Sequence, residues 1–303
     1  MLSEDQVPKI IEQIEALLDS VKNPNVDDWD PIRLGLLISK FEYENIDVEK
    51  EVALFDALAK EYCREFSPQS TLRTKTETLI RIFSGDLGFA GDRSNYYNLK
   101  NSFLYDVLLR RKGIPITLSL AFMGLARRVG LKAVGISFPG HFLVKMVPAP
   151  GYLEIRDSNE TAEDWRSQWY IDCFDGGKIL STEDCERRLY EWTRGVVPFG
   201  PEALDVAHPR DIISRVLRNL KAIVAEKEDW ARLYWILSAL IGLSEKDRND
   251  AYSERGFLFA RIGRFGKASE DLREYLKHAR DSGKIAHIEQ MLRYFEIQTE
   301  VTN

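Results

Sequence analysis

One histidine and one aspartate in the middle of the chain are the residues best suited to proton-transfer chemistry. His141 follows the turn-forming pair Pro139-Gly140 and starts an apolar run, and Asp172 lies in a later apolar run. A carboxylate that hydrogen-bonds an imidazole fixes its tautomer and leaves the other ring nitrogen free to act as a base. Two hypotheses follow: a working acid–base pair, or a hydrogen-bonded strand histidine with a structural aspartate as its partner.

The elements that must position these residues are a buried helix and a set of short strands. Gly113 stops one helix, Pro115 suits the first turn of the next, and residues 115–129 are apolar nearly all round. We therefore expect an α+β core in which an antiparallel meander packs on a central helix. Four β-rich runs, separated by glycine and proline, are the predicted strands: Ala133–Phe138, Phe142–Val147, Tyr152–Arg156 and Gln168–Cys173.

Helical patterns flank this core on both sides. Apolar residues at helical spacing predict a helical N-terminal region over 1–75, and a further helix over about 75–84. Proline and glycine residues between 195 and 210 mark a boundary. We predict a central domain over 76–195 and a helical C-terminal domain over 205–303.

Two copies of a helical unit occupy the C-terminal domain. Ala231 and Ala268 are separated by 37 residues, and so are Trp235 and Leu272. The pattern resembles tetratricopeptide repeats, in which small residues let two helices approach and large residues fill the groove between them. Two units fall short of a self-supporting array, so we expect them to dock on the first domain.

Composition excludes several kinds of partner. The chain has 42 basic and 48 acidic residues, and no part of it is strongly basic, so neither nucleic acid nor an anionic membrane surface is expected to bind. The longest uncharged stretch ends far short of the ~20 apolar residues that a membrane helix needs. The three cysteines show no paired spacing and predict reduced thiols in a cytoplasmic protein. The scattered histidines predict no metal site, and no cofactor is expected.

Several motifs recur in an order that resembles a known family. The chain over about 80–280 is similar to the SirB-type family, which joins a transglutaminase-like domain to C-terminal tetratricopeptide repeats. The resemblance implies a transglutaminase-like (papain-like) core with a Cys at the N-terminus of the buried helix, a His on the next strand and an Asp on the strand after. His141 and Asp172 match the last two positions. The motifs are Asn101-Ser102-Phe103-Leu104, Arg110-Arg111-Lys112-Gly113-Ile114-Pro115, Phe138-Pro139-Gly140-His141-Phe142-Leu143-Val144, and Ile171-Asp172 with Gly176-Gly177.

The resemblance places Pro115 where active transglutaminases have their nucleophilic cysteine. Ser119 is a weak substitute, because it lies a full turn, roughly 5.4 Å, deeper along the helix. Thr117 is rotated by roughly 200° around the helix, Cys173 is expected on the opposite strand face from the aspartate, and Cys63 lies outside the motifs. Loss of such a nucleophile costs about 10⁶-fold in turnover.

Three further residues are candidates for ligand binding: Asn101, Pro139 and Gly140. The alternatives are that Asn101 caps the helix after it and that Pro139-Gly140 is simply a tight turn. The function we expect is a non-catalytic module that binds a protein or peptide through its cleft or its repeat groove, and a regulatory role is compatible with such binding. The alternative is a cysteine-independent hydrolase or acyltransferase that uses His141 and Asp172.

Overall fold

The computed structural model describes residues 5–19, 29–148 and 169–302. The chain divides into two compact units, one formed by residues 16–216 and the other by residues 1–15 with 217–303. The boundary between residues 216 and 217 therefore falls inside the helix Pro209–Glu226. The predicted strand Tyr152–Arg156 lies outside the described residues.

Four helices precede the central core: α1 (Gln6–Asp19), α2 (Pro31–Ser39), α3 (Val48–Tyr62) and α4 (Leu72–Ile80). The side chains of Asp30, Asp47 and Thr71 cap the last three by accepting backbone N–H groups. Helix α4 begins three residues before the predicted start at 75, since Thr71 supplies its cap. It continues into a π-helical turn over Arg81–Asp86.

The centre of the larger unit is the apolar helix that the sequence predicts. Helix α5 (Leu104–Arg110) ends at Arg111 in a left-handed conformation, and α6 (Pro115–Arg128) starts four residues later. Residues 115–126 of α6 are all buried. Helix α2 packs closely on it, because a Cβ at Gly124 would come within 2.4 Å of Ile32.

A four-stranded antiparallel sheet covers this helix. Its strands are β3 (Lys132–Ile136), β4 (Leu143–Val147), β5 (Tyr170–Asp172) and β6 (Lys178–Leu180), in the order of the chain. A separate parallel pair, β1 (Ala90–Gly91) and β2 (Lys112–Gly113), ties the preceding loop to the start of α6. The predicted α+β core is confirmed, although β6 and the short pair were not among the predicted strands.

Helix α7 (Thr182–Thr193) follows β6, and Ser181 is its N-cap. The hydroxyl of Ser181 accepts the N–H of Asp184, and the carboxylate of Asp184 accepts the N–H of Ser181. Helix α8 (Pro209–Glu226) then carries the chain across the division between the units.

The smaller unit contains the helices α9 (Trp230–Leu243), α10 (Glu245–Arg261), α11 (Phe265–Leu276) and α12 (Ser282–Thr302). Gly256 lets α10 approach α11 closely, because a Cβ at this position would lie 2.8 Å from the side chain of Leu272. Ala268 and Leu272 are both fully buried, as the repeat spacing predicts. Arg255 of α10 forms a two-bond ion pair with Asp271 of α11 and also donates to Ser238 of α9.

Candidate functional site

The N-terminus of α6 is closed by its own side chains. Pro115 occupies the first helical turn, where its missing N–H leaves no donor unsatisfied. The hydroxyl of Thr117 accepts the N–H of Ile114 at 3.2 Å and donates to the carbonyl of Asn101 at 2.6 Å. The hydroxyl of Thr117 therefore holds the start of α6.

His141 is placed by a tight turn rather than by a strand. The N–H of His141 bonds the carbonyl of Phe138 at 3.1 Å, and Gly140 adopts a φ of +70°. Proline at the second position and a left-handed glycine at the third are typical of a type II turn. His141 thus precedes β4 by two residues, and Pro139-Gly140 forms a tight turn. A role of this turn in ligand binding stays a prediction.

The turn brings His141 against Asp172 at the end of β5. Nε2 of His141 lies 2.9 Å from Oδ1 of Asp172. The same carboxylate oxygen accepts the N–H groups of Phe174 and Asp175 at 3.0 and 3.1 Å, so it caps the 3₁₀ turn over Cys173–Asp175. An ionised Asp172 fixes the proton of the imidazole on Nε2, and no described residue bonds Nδ1.

A third residue, which the sequence analysis missed, completes this network. Nη1 of Arg188 donates to Oδ2 of Asp172, and its Nη2 lies 3.4 Å from Oδ2 of Asp175. Arg188 lies on α7 among the buried residues Cys185 and Leu189. A charged residue on the apolar face of an amphipathic helix was the sequence signal that could have found it.

Burial on its own raises the pKa of Asp172, because a charged carboxylate loses hydration in the protein interior. The hydrogen bond and charge of His141, followed by those of Arg188, outweigh this effect and lower the pKa to about 2. Asp172 is 1% exposed and is therefore a buried, ionised group at neutral pH.

Aromatic rings enclose the imidazole. The ring of Trp192, one turn after Arg188 on α7, lies 5.3 Å from that of His141, and Phe174 lies 6.2 Å away in an edge-to-face arrangement. Trp192 remains 49% exposed while His141 is only 7% exposed. The imidazole is thus covered by aromatic rings, and the ring of Trp192 reaches solvent.

Tyr96 connects the loop before α5 to the same site. Its ring packs edge-to-face on Phe174 at 5.8 Å, and the neighbouring Tyr97 is 70% exposed. Gly91 of β1 is in close contact with Phe174, because a Cβ there would lie 2.6 Å from that residue's ring and backbone oxygen. Since β1 pairs with β2 directly before α6, these contacts bring the start of α6 to the same side as His141.

Within the described residues, the hydroxyls and thiols nearest the pair are buried or used in structural hydrogen bonds. Ser119 is fully buried on the face of α6 that it shares with Pro115, and its hydroxyl lies beside the thiol of Cys173. Burial raises the pKa of Cys173 far above the usual range, and Ser119 opposes this only in part. Burial also raises the pKa of the Cys185 thiol to about 12. A protonated thiol is a weak nucleophile.

Cys63 is the one exposed cysteine, and it lies at the other end of the helix. Its Sγ is 3.7 Å from the carbonyl oxygen of Arg128, the last residue of α6. The fourteen residues of α6 place it about 20 Å from Pro115 along the helix axis.

Asn101 organises the loop that precedes α5. It is fully buried, donates to the carbonyl of Asn95 at 2.8 Å and accepts from Arg110 at 3.1 Å. Arg110 also bonds Asp92 at 3.2 Å. The interpretation of Asn101 as a helix cap is wrong, because Phe103 holds the N-cap position of α5. The amide instead holds loop and helix together.

Within 5–19, 29–148 and 169–302 we find no cluster of three or more His, Cys, Asp or Glu side chains that could hold a metal ion. In the same residues, no helix combines the length and the apolar character that crossing a bilayer requires.

This arrangement, with a buried helix, an antiparallel sheet and a His–Asp pair followed by paired helices, defines a transglutaminase-like domain joined to tetratricopeptide repeats. The family described as "Transglutaminase-like superfamily" matches residues 49–218, and the family described as "Tetratricopeptide repeat" matches residues 220–293. The chain belongs to the transglutaminase-like superfamily, within the group that carries C-terminal repeats. The SirB-type assignment made from the motifs is confirmed.

Curated relatives match this chain over different lengths. A UPF0162 protein of Xylella fastidiosa is 30% identical over 250 residues, which covers 80% of this chain and 82% of the relative. A UPF0162 protein of Vibrio cholerae is 23% identical over 89% of this chain and 86% of its own length. F-box only protein 21 of Homo sapiens is 30% identical over 142 residues, but the match covers only 20% of that protein. No solved structure gives a significant match.

Proposed function

We propose that this chain is a non-catalytic transglutaminase-like protein that binds a peptide or protein segment beside His141 and on its repeat helices. The observation that carries the proposal is the combination of a retained His141–Asp172 pair with Pro115 in the first turn of α6. The family resemblance puts the nucleophilic cysteine at that position. A proline side chain has no atom that can attack a carbonyl carbon.

The neighbouring residues support the same conclusion. The hydroxyl of Thr117 is used in holding the helix start, Ser119 is fully buried, and the thiol of Cys173 is held protonated by burial. Covalent acyl transfer needs an activated nucleophile beside its base. An imidazole that keeps its aspartate and its aromatic walls can instead hydrogen-bond a bound peptide.

The repeats supply the second part of the proposal. Paired helices of this kind present a concave groove that commonly holds a partner protein. We also propose a cytoplasmic location, which rests on the odd number of cysteines without paired spacing. The domain bounds 1–75, 76–195 and 205–303 stay predictions.

A second candidate function is a hydrolase in which His141 activates a water molecule. It is favoured by one observation: Asp172 bonds Nε2, and no described residue bonds Nδ1. Such an imidazole can accept a proton from water if a substrate lies within about 3 Å of that water.

The two candidates differ in whether turnover depends on His141. Amine incorporation into glutamine-containing peptides and hydrolysis of a p-nitrophenyl ester are measured for the parent chain and for His141→Ala. The binding module predicts identical background rates for both proteins. A parent rate more than tenfold above that of His141→Ala contradicts the proposal and supports the hydrolase.

The binding activity is tested with a displayed peptide library selected on the full chain. We expect enriched peptides whose affinity falls at least tenfold in His141→Ala. The matched control is His208→Ala, which changes an exposed histidine outside the site and is expected to bind as the parent does. Failure to enrich any peptide, or equal loss in both variants, contradicts binding beside His141.

A further inference from the structure

Two side chains, those of His141 and Arg188, share the carboxylate of Asp172. Its Oδ1 faces Nε2 of His141 at 2.9 Å, and its Oδ2 accepts from Arg188. The side chain of Arg188 is 18% exposed, and its guanidinium also reaches Asp175. The carboxylate of Asp172 is therefore the buried centre of a hydrogen-bond network, and the interaction is not a surface ion pair.

One face of α7 contacts both members of the His141–Asp172 pair. Arg188 and Trp192 are four residues apart on α7 and therefore lie on the same face. Arg188 reaches the carboxylate behind the imidazole, and the ring of Trp192 packs on the imidazole itself. The neighbouring residues Cys185 and Leu189 anchor α7 in the core.

We propose that Arg188 is a positioning residue that sets His141 as a hydrogen-bond acceptor for its ligand. By holding Oδ2 of Asp172, Arg188 directs Oδ1 at Nε2 and keeps the imidazole proton there. Nδ1 then presents a lone pair, so the ligand group at this atom is a donor, such as the N–H of a peptide amide. The inference deepens the proposed function and rests on it for the identity of the ligand.

The charge of Arg188 acts in the same direction. A guanidinium on the far side of a shared carboxylate opposes a second positive charge on the imidazole. The other charged groups around the site are Asp175, which also pairs with Arg93 at 2.6 Å, and Arg215, which donates to the carbonyl of Phe138. Removal of Arg188 leaves Oδ2 of Asp172 without this side-chain donor, so the carboxylate holds the imidazole proton on Nε2 less firmly.

The test observes the ring nitrogens of His141 directly. The full chain contains four histidines, so selective ¹⁵N-histidine labelling gives few signals, and His141→Gln assigns the one of interest. In the parent chain at pH 8 we expect Nε2 protonated and Nδ1 unprotonated. If the parent chain itself shows the proton on Nδ1, the proposal is overturned before any variant is measured.

The variant is Arg188→Met, which keeps the aliphatic stem and removes the charge. At pH 8 we expect the ¹⁵N shifts of Nε2 and Nδ1 of His141 to move toward each other, because Asp172 no longer holds the imidazole proton on Nε2 alone. Arg188→Lys retains the charge and is expected to restore most of the parent shifts. The matched control is Arg187→Met, since Arg187 is 65% exposed and pairs with Asp184 instead.

Unchanged ring-nitrogen shifts of His141 in folded Arg188→Met overturn the proposal. So does a shift of equal size in Arg187→Met. Because these signals need neither ligand nor turnover, a failure here is distinguishable from a failure of the peptide selection. Arg188 can position His141 even if no peptide binds, and a peptide can bind even if Arg188 has no effect on the imidazole.

Discussion

Protonation of Asp172 should weaken the larger unit by an amount that follows from its surroundings. The carboxyl is 1% exposed, and its pKa is lowered from 3.8 to about 2. A difference of this size corresponds to about 2 kcal/mol of folding free energy, at about 1.36 kcal/mol per pH unit.

The sign follows from the direction of the shift. The pKa of Asp172 is lower in the folded chain than in the unfolded chain, so the folded state favours the ionised form. The stabilisation is therefore fully present above pH 3.8 and is lost as the pH falls toward 2. About 1 kcal/mol of it should be lost by pH 3.

The perturbation is Asp172→Asn, which keeps the shape and removes the charge. At pH 7 it leaves Arg188 buried without its main anion, and breaking a buried pair costs about 3–5 kcal/mol. At pH 3 the parent chain has lost part of the same interaction. The free-energy difference between parent and variant should therefore shrink by about 1 kcal/mol between pH 6 and pH 3.

Urea-dependent hydrogen exchange of the β5 amides measures the stability of this unit alone. Exchange is measured at pH 6 and at pH 3. It reports local opening and does not require two-state unfolding of the whole chain. Glu77→Gln is the control, since its pair with Arg73 is exposed on both sides and should contribute below about 1 kcal/mol. A parent–variant difference that stays constant or grows toward pH 3 refutes the reasoning.

Two further predictions concern packing in each unit. Gly91→Ala places a methyl group against the ring and carbonyl of Phe174, so we expect a loss of about 1–3 kcal/mol in thermal unfolding and an altered His141 ring signal. Arg255→Met leaves Asp271 buried without its partner, so the repeat unit should lose about 3–5 kcal/mol in urea unfolding.

Matched controls separate these effects from general sensitivity to substitution. Gly266→Ala has no neighbouring atom within 4 Å and should not destabilise the chain. Arg273→Met removes an exposed pair with Glu296 and should cost below about 1 kcal/mol. A Gly91→Ala chain as stable as the parent, or equal losses in the two arginine variants, contradicts the packing described here.

The elements with strong periodic patterns were predictable from the sequence. Residues 115–129 are apolar nearly all round, and the structure buries α6 as the core helix. The 37-residue spacing also predicted two helical copies, and its paired residues Ala231 and Ala268 lie on the helices α9 and α11. In both cases one local pattern determines both the element and its burial.

The network around the pair was only partly predictable. His141 and Asp172 were found because their motifs stand in a known order, but Arg188 lies on a separate helix and contacts them only after folding. The buried role of Asn101 was missed for a related reason. Its partners Asn95 and Arg110 belong to a loop and a helix whose packing no local pattern reveals.

The central claim is that this domain keeps a transglutaminase-like site and lacks its nucleophile. The most direct measurement restores that atom: Pro115→Cys, in a chain with the exposed Cys63 replaced by serine, is alkylated with iodoacetamide across the pH range. We predict a reactive thiol with an apparent pKa below about 7, well under the ordinary ~8.5, because the helix N-terminus and His141 stabilise the thiolate. Adding His141→Ala should return the value to about 8.5 or above. A thiol at position 115 that does not react, or whose reactivity is independent of His141, contradicts the claim.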